Sequence, residues 1–126
     1  MERVRQEVLE WFGAPADEFT AVFTANATAA LKLVGEAYPF APDRRLLLTV
    51  DNHNSVNGIR EFALARGGAV DYAPLTVPDL RLDQPRLAQL LQQGTAPQRG
   101  LLAFPAQSNF SGVRHSLDLV HRAKAL

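Results

Sequence analysis

Residues 46–50, Leu-Leu-Leu-Thr-Val, form an unbroken apolar run that stops abruptly at Asp51-Asn52-His53-Asn54-Ser55. A strand with one wet face alternates apolar and polar residues. A continuous run suits a strand buried on both faces, as in parallel sheets covered by helices. The rest of the chain falls into step with that reading. Residues 2–12 carry Val4, Val8, Trp11 and Phe12 on one helical face, with Gly13 and Pro15 as the stop. Residues 19–24 are a short β-rich run, and residues 26–38 a helix with Ala27, Ala30, Leu31, Val34 and Tyr38 along one stripe. After the polar loop, Val56, Ile59, Phe62 and Ala63 give the next helix its buried face, and Gly67-Gly68 closes it. Residues 69–73 are a third strand, followed by loops around Pro74 and Pro78 and a helix over 84–93 bearing Leu87, Leu90 and Leu91. Residues 101–104 are a fourth strand, and Ser116 caps a last helix with Leu117, Val120 and Ala123 inward. Strands alternating with helices of this length predict an α/β fold with a mostly parallel sheet and helices on both faces.

Composition narrows the function. A chain of 126 residues makes one domain at most. Thirteen Lys and Arg balance thirteen Asp and Glu, so neither nucleic acid nor an anionic membrane is held by bulk charge. No cysteine is present, which excludes a disulfide framework, a thiolate metal site and a cysteine nucleophile within these residues. The opening MERVRQEVLEWF is charged and lacks the apolar core of a signal peptide, and no apolar window reaches the length of a membrane span. A cytoplasmic protein is the expectation. The last helix runs to Leu126 with no Gly or Pro stop. That end, with no further strand to cover the sheet edge, predicts a chain truncated at its C-terminus and prone to pair as a homodimer.

In open α/β sheets ligands lie beyond the carboxyl ends of the strands, where helix N-termini converge. Three small, polar segments follow predicted strands: 24–30, 51–55 and 105–112. In the first, Asn26 heads a helix whose free N–H groups favour an anion, and Thr28 adds a hydroxyl; Asn26 as a plain N-cap is the alternative. In the second, His53 can stack on a planar ligand or carry a proton, or simply cap the next helix. In the third, Asn109 offers an amide donor and acceptor, or an Asx turn. His115 and His121 fall at or inside the last helix, His121 on its wet face, and the three histidines have no metal-ligand spacing. There is no GxxxxGK[ST] and no GxGxxG, which disfavours a nucleotide binder.

Taken in order, Phe23-Thr24-Ala25-Asn26-Ala27-Thr28-Ala29-Ala30, Asp51-Asn52-His53-Asn54-Ser55 and Ser108-Asn109-Phe110-Ser111-Gly112 resemble the class V aminotransferase family of fold-type I pyridoxal-phosphate enzymes, which includes cysteine desulfurases and selenocysteine lyases. Within it the molybdenum cofactor sulfurase branch is the most similar. The resemblance implies pyridoxal 5′-phosphate as cofactor and a small amino acid as substrate. It implies Ala27 and Thr28 at the cofactor phosphate, His53 on the ring face, and Asn109 near the ring hydroxyl and substrate carboxylate. The family's Schiff-base lysine and its pyridinium-pairing Asp have no match here. Lys32 and Lys124, the only lysines, both sit on predicted helices. The expectation is therefore a partial cofactor-binding domain spanning residues 1–126, inactive by itself. A non-catalytic interaction module on a degenerate aminotransferase fold is the alternative.

Overall fold

The structure, a computed structural model, describes residues 1–93 and 100–125. Its helices are α1 (Glu2–Trp11), α2 (Ala27–Ala37), α3 (Asn54–Asn57), α4 (Ile59–Ala65), α5 (Gln84–Gln92) and α6 (Asp118–Lys124). The strands are β1 (Leu46–Thr49), β2 (Val70–Ala73), β3 (Leu75–Thr76), β4 (Arg81–Leu82) and β5 (Leu101–Ala103).

The apolar run is the centre of the molecule. β1 lies between β2 and β5 and is parallel to both, with Leu46 opposite Val70 on one side and Leu101 on the other. Its side chains alternate between two cores. Leu46 and Leu48 pack with Phe40, Ile59 and Ala63 on the face covered by α2, α3 and α4. Leu47 points the other way, among Ala73, Leu82, Leu87, Leu90 and Leu119 under α5 and α6. Each neighbouring strand follows the same alternation: Leu101 and Ala103 serve the first core, and Leu102 and Phe104 the second. A parallel pair needs a crossover connection, here α3 and α4 between β1 and β2. Gly67 ends that crossover at φ +75, a left-handed conformation that lets its N–H and that of Gly68 return to the carbonyls of Leu64 and Ala63.

Several local expectations are corrected. Residues 19–24 form no strand, and Phe19, Val22 and Phe23 are all at least half exposed. β-rich composition expresses itself only where a partner strand supplies the ladder, and none lies beside this run among the described residues. On α2 the inward side is buried Gly35 with half-buried Leu31, followed by half-buried Tyr38 just past the helix, while Ala27 and Val34 are exposed. The stripe is turned because the Gly35 backbone meets the Phe62 ring, a contact that apolarity alone does not reveal. On α6 it is Leu119, not Leu117 or Val120, that is buried. The Pro74–Pro78 loops contain a small antiparallel hairpin, β3 with β4. Leu126 lies outside the described residues. Among the described residues no helix is long and apolar enough to cross a membrane.

Two predictions follow from this packing. Leu48 is fully buried and Leu33 is 44% exposed. Leu48→Ala should lower unfolding free energy by about 2–5 kcal/mol, and Leu33→Ala by roughly 0.5 kcal/mol or less, in urea titrations. Gly35→Ala tests the close approach of α2 and α4. Helix propensity alone favours alanine by about 1 kcal/mol. A Cβ at Gly35, however, would stand 2.6 Å from Phe62 Cδ2 and 3.2 Å from Cγ, too near the root of the ring for a simple swing. Overpacking of this kind costs about 1–3 kcal/mol, so the variant should be less stable than the parent by thermal unfolding.

Candidate functional site

All three strands of the main sheet present their carboxyl ends on one side. The last pair of β1 with β5 is Leu48 with Ala103, so the segments that follow leave the sheet together. Two polar contacts bind them there. The Asn52 side-chain amide donates to the carbonyl of Ala103 at 2.9 Å, and also reaches the Thr49 carbonyl and hydroxyl at 3.0 and 3.1 Å. Asp51 and His115, 64 positions apart in the chain, meet at 2.7 Å between Oδ2 and Nε2. An ionised carboxylate only accepts, so the imidazole Nε2–H is the donor. Both side chains are almost wholly buried.

From this rim α3 begins, with His53 as its N-cap. His53 Nδ1 accepts the Ser55 backbone N–H at 3.2 Å and lies 2.8 Å from the Ser55 hydroxyl. Accepting at Nδ1 places the proton of a neutral ring on Nε2. The ring itself is exposed. Capping and ligand contact are therefore compatible roles for one side chain.

The Asn109 segment is a closed turn. Ser108 N–H donates to the Val113 carbonyl, Gly112 N–H to the Ser108 carbonyl and His115 N–H to the Ala106 carbonyl, all within 3.0 Å. The buried Ser108 hydroxyl accepts the N–H groups of Phe110 and Ser111. Gly112 sits at φ +73, where a side chain would be strained. Ser108, rather than Asn109, thus does the work an Asx turn would do. The Asn109 side chain is exposed and makes no hydrogen bond among the described residues.

The third segment reaches the same end by the direction of α2. α3 and α4 start at the rim and end at the opposite edge, where β2 begins. Arg66, just past α4, donates to the carbonyls of Gly35, Glu36 and Tyr38 at the C-terminal end of α2. α2 also packs along α3. The two helical segments therefore run side by side in the same direction, and about 16 Å of helix carries α2 back to its start at the rim. There the Asn26 side chain accepts the Ala29 N–H at 2.9 Å, and the Asn26 carbonyl accepts that of Ala30. The N–H groups of Ala27 and Thr28 precede the first intrahelical donor and remain for a ligand. Both residues are exposed.

Thr28, His53 and Asn109 thus share one end of the sheet, on three different segments. Together they offer two free helix N–H groups and a hydroxyl, which can receive an anion, an exposed imidazole and an unengaged amide. Burial shifts one phenol elsewhere: Tyr38 is held above its ordinary pKa by desolvation, opposed in part by Arg44. Lys32 is exposed and pairs with Glu36 at 3.4 Å, and Lys124 lies on α6. Among the described residues no cluster of His, Cys, Asp and Glu could hold a metal. Sequence reasoning missed Asp51, Asn52 and His115. His115 was expected at or inside the last helix; it precedes α6 and is buried against Asp51. An acidic residue at the end of a long apolar run was the one available signal, since such a group next to the interior needs a partner if it is buried.

Comparisons with known proteins bear on the family and the fold. The family model for aminotransferase class-V matches residues 1–126. Molybdenum cofactor sulfurase from Arabidopsis thaliana is 42% identical over 95% of this chain, and the Homo sapiens protein of that name is 36% identical over 99%. The chain spans only 17% and 14% of those two proteins. Among solved structures, the cysteine desulfurase CsdA from Escherichia coli superposes with a TM-score of 0.74 over 98% of this chain and 31% of its own, at 24% identity, a likeness of fold. With the family model matched from end to end, the chain belongs to the aminotransferase class-V family.

Proposed function

We propose that this chain supplies the phosphate, ring-face and ring-edge contacts of a pyridoxal 5′-phosphate site in an enzyme that acts on a small amino acid. Removal of sulfur from cysteine, or of selenium from selenocysteine, is the reaction class. The names of the relatives, molybdenum cofactor sulfurase and cysteine desulfurase, favour the sulfur reaction. The observation that carries the reading is the pair of free N–H groups on Ala27 and Thr28, at the same end of the sheet as exposed His53 and Asn109.

The bound cofactor would serve as an electron sink for bonds broken at the substrate's α-carbon and beyond it. The chain's own residues bind and orient. Ala27 and Thr28 hold a dianionic phosphate with two N–H groups, a hydroxyl and the positive end of α2. His53 covers one face of the ring, its orientation set by the bonds from Ser55, and keeps a proton on the Nε2 that points away from α3's cap. Asn109 donates to an oxygen at the ring edge or on the substrate carboxylate. Neither lysine of this chain stands where the family's cofactor-linked lysine belongs, so these residues grip the cofactor and another part of the protein performs the covalent step. The isolated chain is inactive on this reading.

In the full-length natural protein, pyridoxal 5′-phosphate should bind and give the visible absorbance of a lysine-linked cofactor, and inorganic phosphate should compete. Thr28→Ala removes one hydrogen bond to a charged group, worth about 1.5–3 kcal/mol, so the dissociation constant should rise roughly tenfold or more. His53→Ala and Asn109→Ala should each weaken binding as well. Equal binding of pyridoxal with and without its phosphate, or no change on Thr28→Ala, would refute the site. Tight binding with no turnover of any small amino acid would mark a non-catalytic module.

A further inference from the structure

The rim is joined by a polar pair that the cofactor contacts do not use. Asp51 stands two residues before His53, and His115 six residues after Asn109. Their side chains are 1% and 4% exposed, so neither is available to a ligand. Yet each lies at the root of a segment that presents an exposed candidate contact. The His115 backbone N–H also closes the base of the Asn109 turn on the Ala106 carbonyl. Asp51 Oδ1 is buried with no hydrogen-bond partner among the described residues, so the carboxylate keeps part of its desolvation cost uncompensated. An apolar contact would fill this junction at less cost. What it would lack is direction: a charge-assisted hydrogen bond fixes both distance and orientation between the two loops.

We propose that the Asp51–His115 pair is the positioning device of the rim, holding the loop of His53 against the turn of Asn109 at the spacing the cofactor ring requires. The proposal rests on the cofactor reading above. Asn52, bonded to the Ala103 carbonyl, ties the strand ends; Asp51–His115 ties the loops one step further out, where the ligand contacts begin. Asp51 and His115 act through His53 and Asn109 and are positioning residues.

The test uses the full-length natural protein and two substitutions. His115→Leu deletes the donor, and His115→Gln keeps an N–H near the place of Nε2. In the protein without cofactor, amide exchange at Ser108 and Gly112 should quicken about tenfold in the Leu variant and change little in the Gln variant. The dissociation constant for pyridoxal 5′-phosphate should rise about tenfold with Leu and less than about threefold with Gln. The visible circular dichroism of the bound cofactor should change with Leu alone. In an Asn109→Ala background the effect of Leu on affinity should shrink to about twofold, because coupled residues are non-additive. A residue that only stabilises the fold would leave affinity and dichroism unmoved well below the melting temperature. If His115→Leu does not fold, His115→Asn, whose amide stops short of Asp51, replaces it with the same expectations. Unchanged exchange and affinity, or equal losses in the Leu and Gln variants, would overturn the proposal. Failure of the unsubstituted protein to bind the cofactor would defeat the functional reading instead; the exchange measurement would still decide whether the pair fixes the rim, and unchanged rates would overturn that too.

Discussion

Parallel pairing of β1 with a neighbour on each side imposes the rest of this architecture. A strand so placed can satisfy its backbone only within the sheet and its side chains only against two separate layers. Leu46 and Leu48 are committed to one layer and Leu47 to the other, so a slip of one residue would exchange the two cores. The same pairing sends every following segment out at one edge. A polar rim of loops at one edge is thus a by-product of burying the strand, present before any side chain is chosen for chemistry.

The buried polar groups of the described structure concentrate at that edge. Thr49, Asp51, Asn52, Ser108 and His115 are its buried polar residues; the first three lie at the end of β1, and Ser108 and His115 in the segment between β5 and α6. Backbone groups there have left the ladder but are not yet in water, and an unpaired buried group is costly. Asn52 and Ser108 each answer several such groups at once. Asp51 and His115 answer each other. Loss of either partner would leave the other buried and unsatisfied, at a cost of about 1–3 kcal/mol or more, so the junction resists drift between the loops.

The main strand, the helices after it and the direction of the sheet were legible in the sequence because Leu46–Thr49 and the apolar periods of α4 and α5 reflect burial, whereas Val50 and the α1 face of Val4, Trp11 and Phe12 are exposed. Residues 19–24 misled because β propensity describes a half-buried surface and this run has none to join. α6 misled because Leu117, Leu119, Val120 and Ala123 surround a helix of seven residues, and contact with the second core alone decides that Leu119 goes in. Thr28, His53 and Asn109 stood out as candidates because each lies in a polar segment that heads a helix or follows an apolar run. The Asp51–His115 contact did not, since nothing local records a meeting across 64 positions.

Each exposed candidate contact is freed by a neighbour that takes over its structural duty. Asn26 caps α2 through Ala29, which leaves Thr28 and the first N–H groups unspent. Ser108 gathers the amides of its turn, which leaves the Asn109 side chain unengaged. Ser55 occupies only Nδ1 of His53, which leaves the rest of the ring. Asn and His are ordinary capping and turn residues, and either structural duty alone would explain finding them here. Two of the three carry no such duty, and the third discharges it with one ring atom. Spare hydrogen-bonding capacity on three exposed segments is met by water and adds nothing to the stability of the fold. It has a physical reason if a polar, flat and anionic partner completes it.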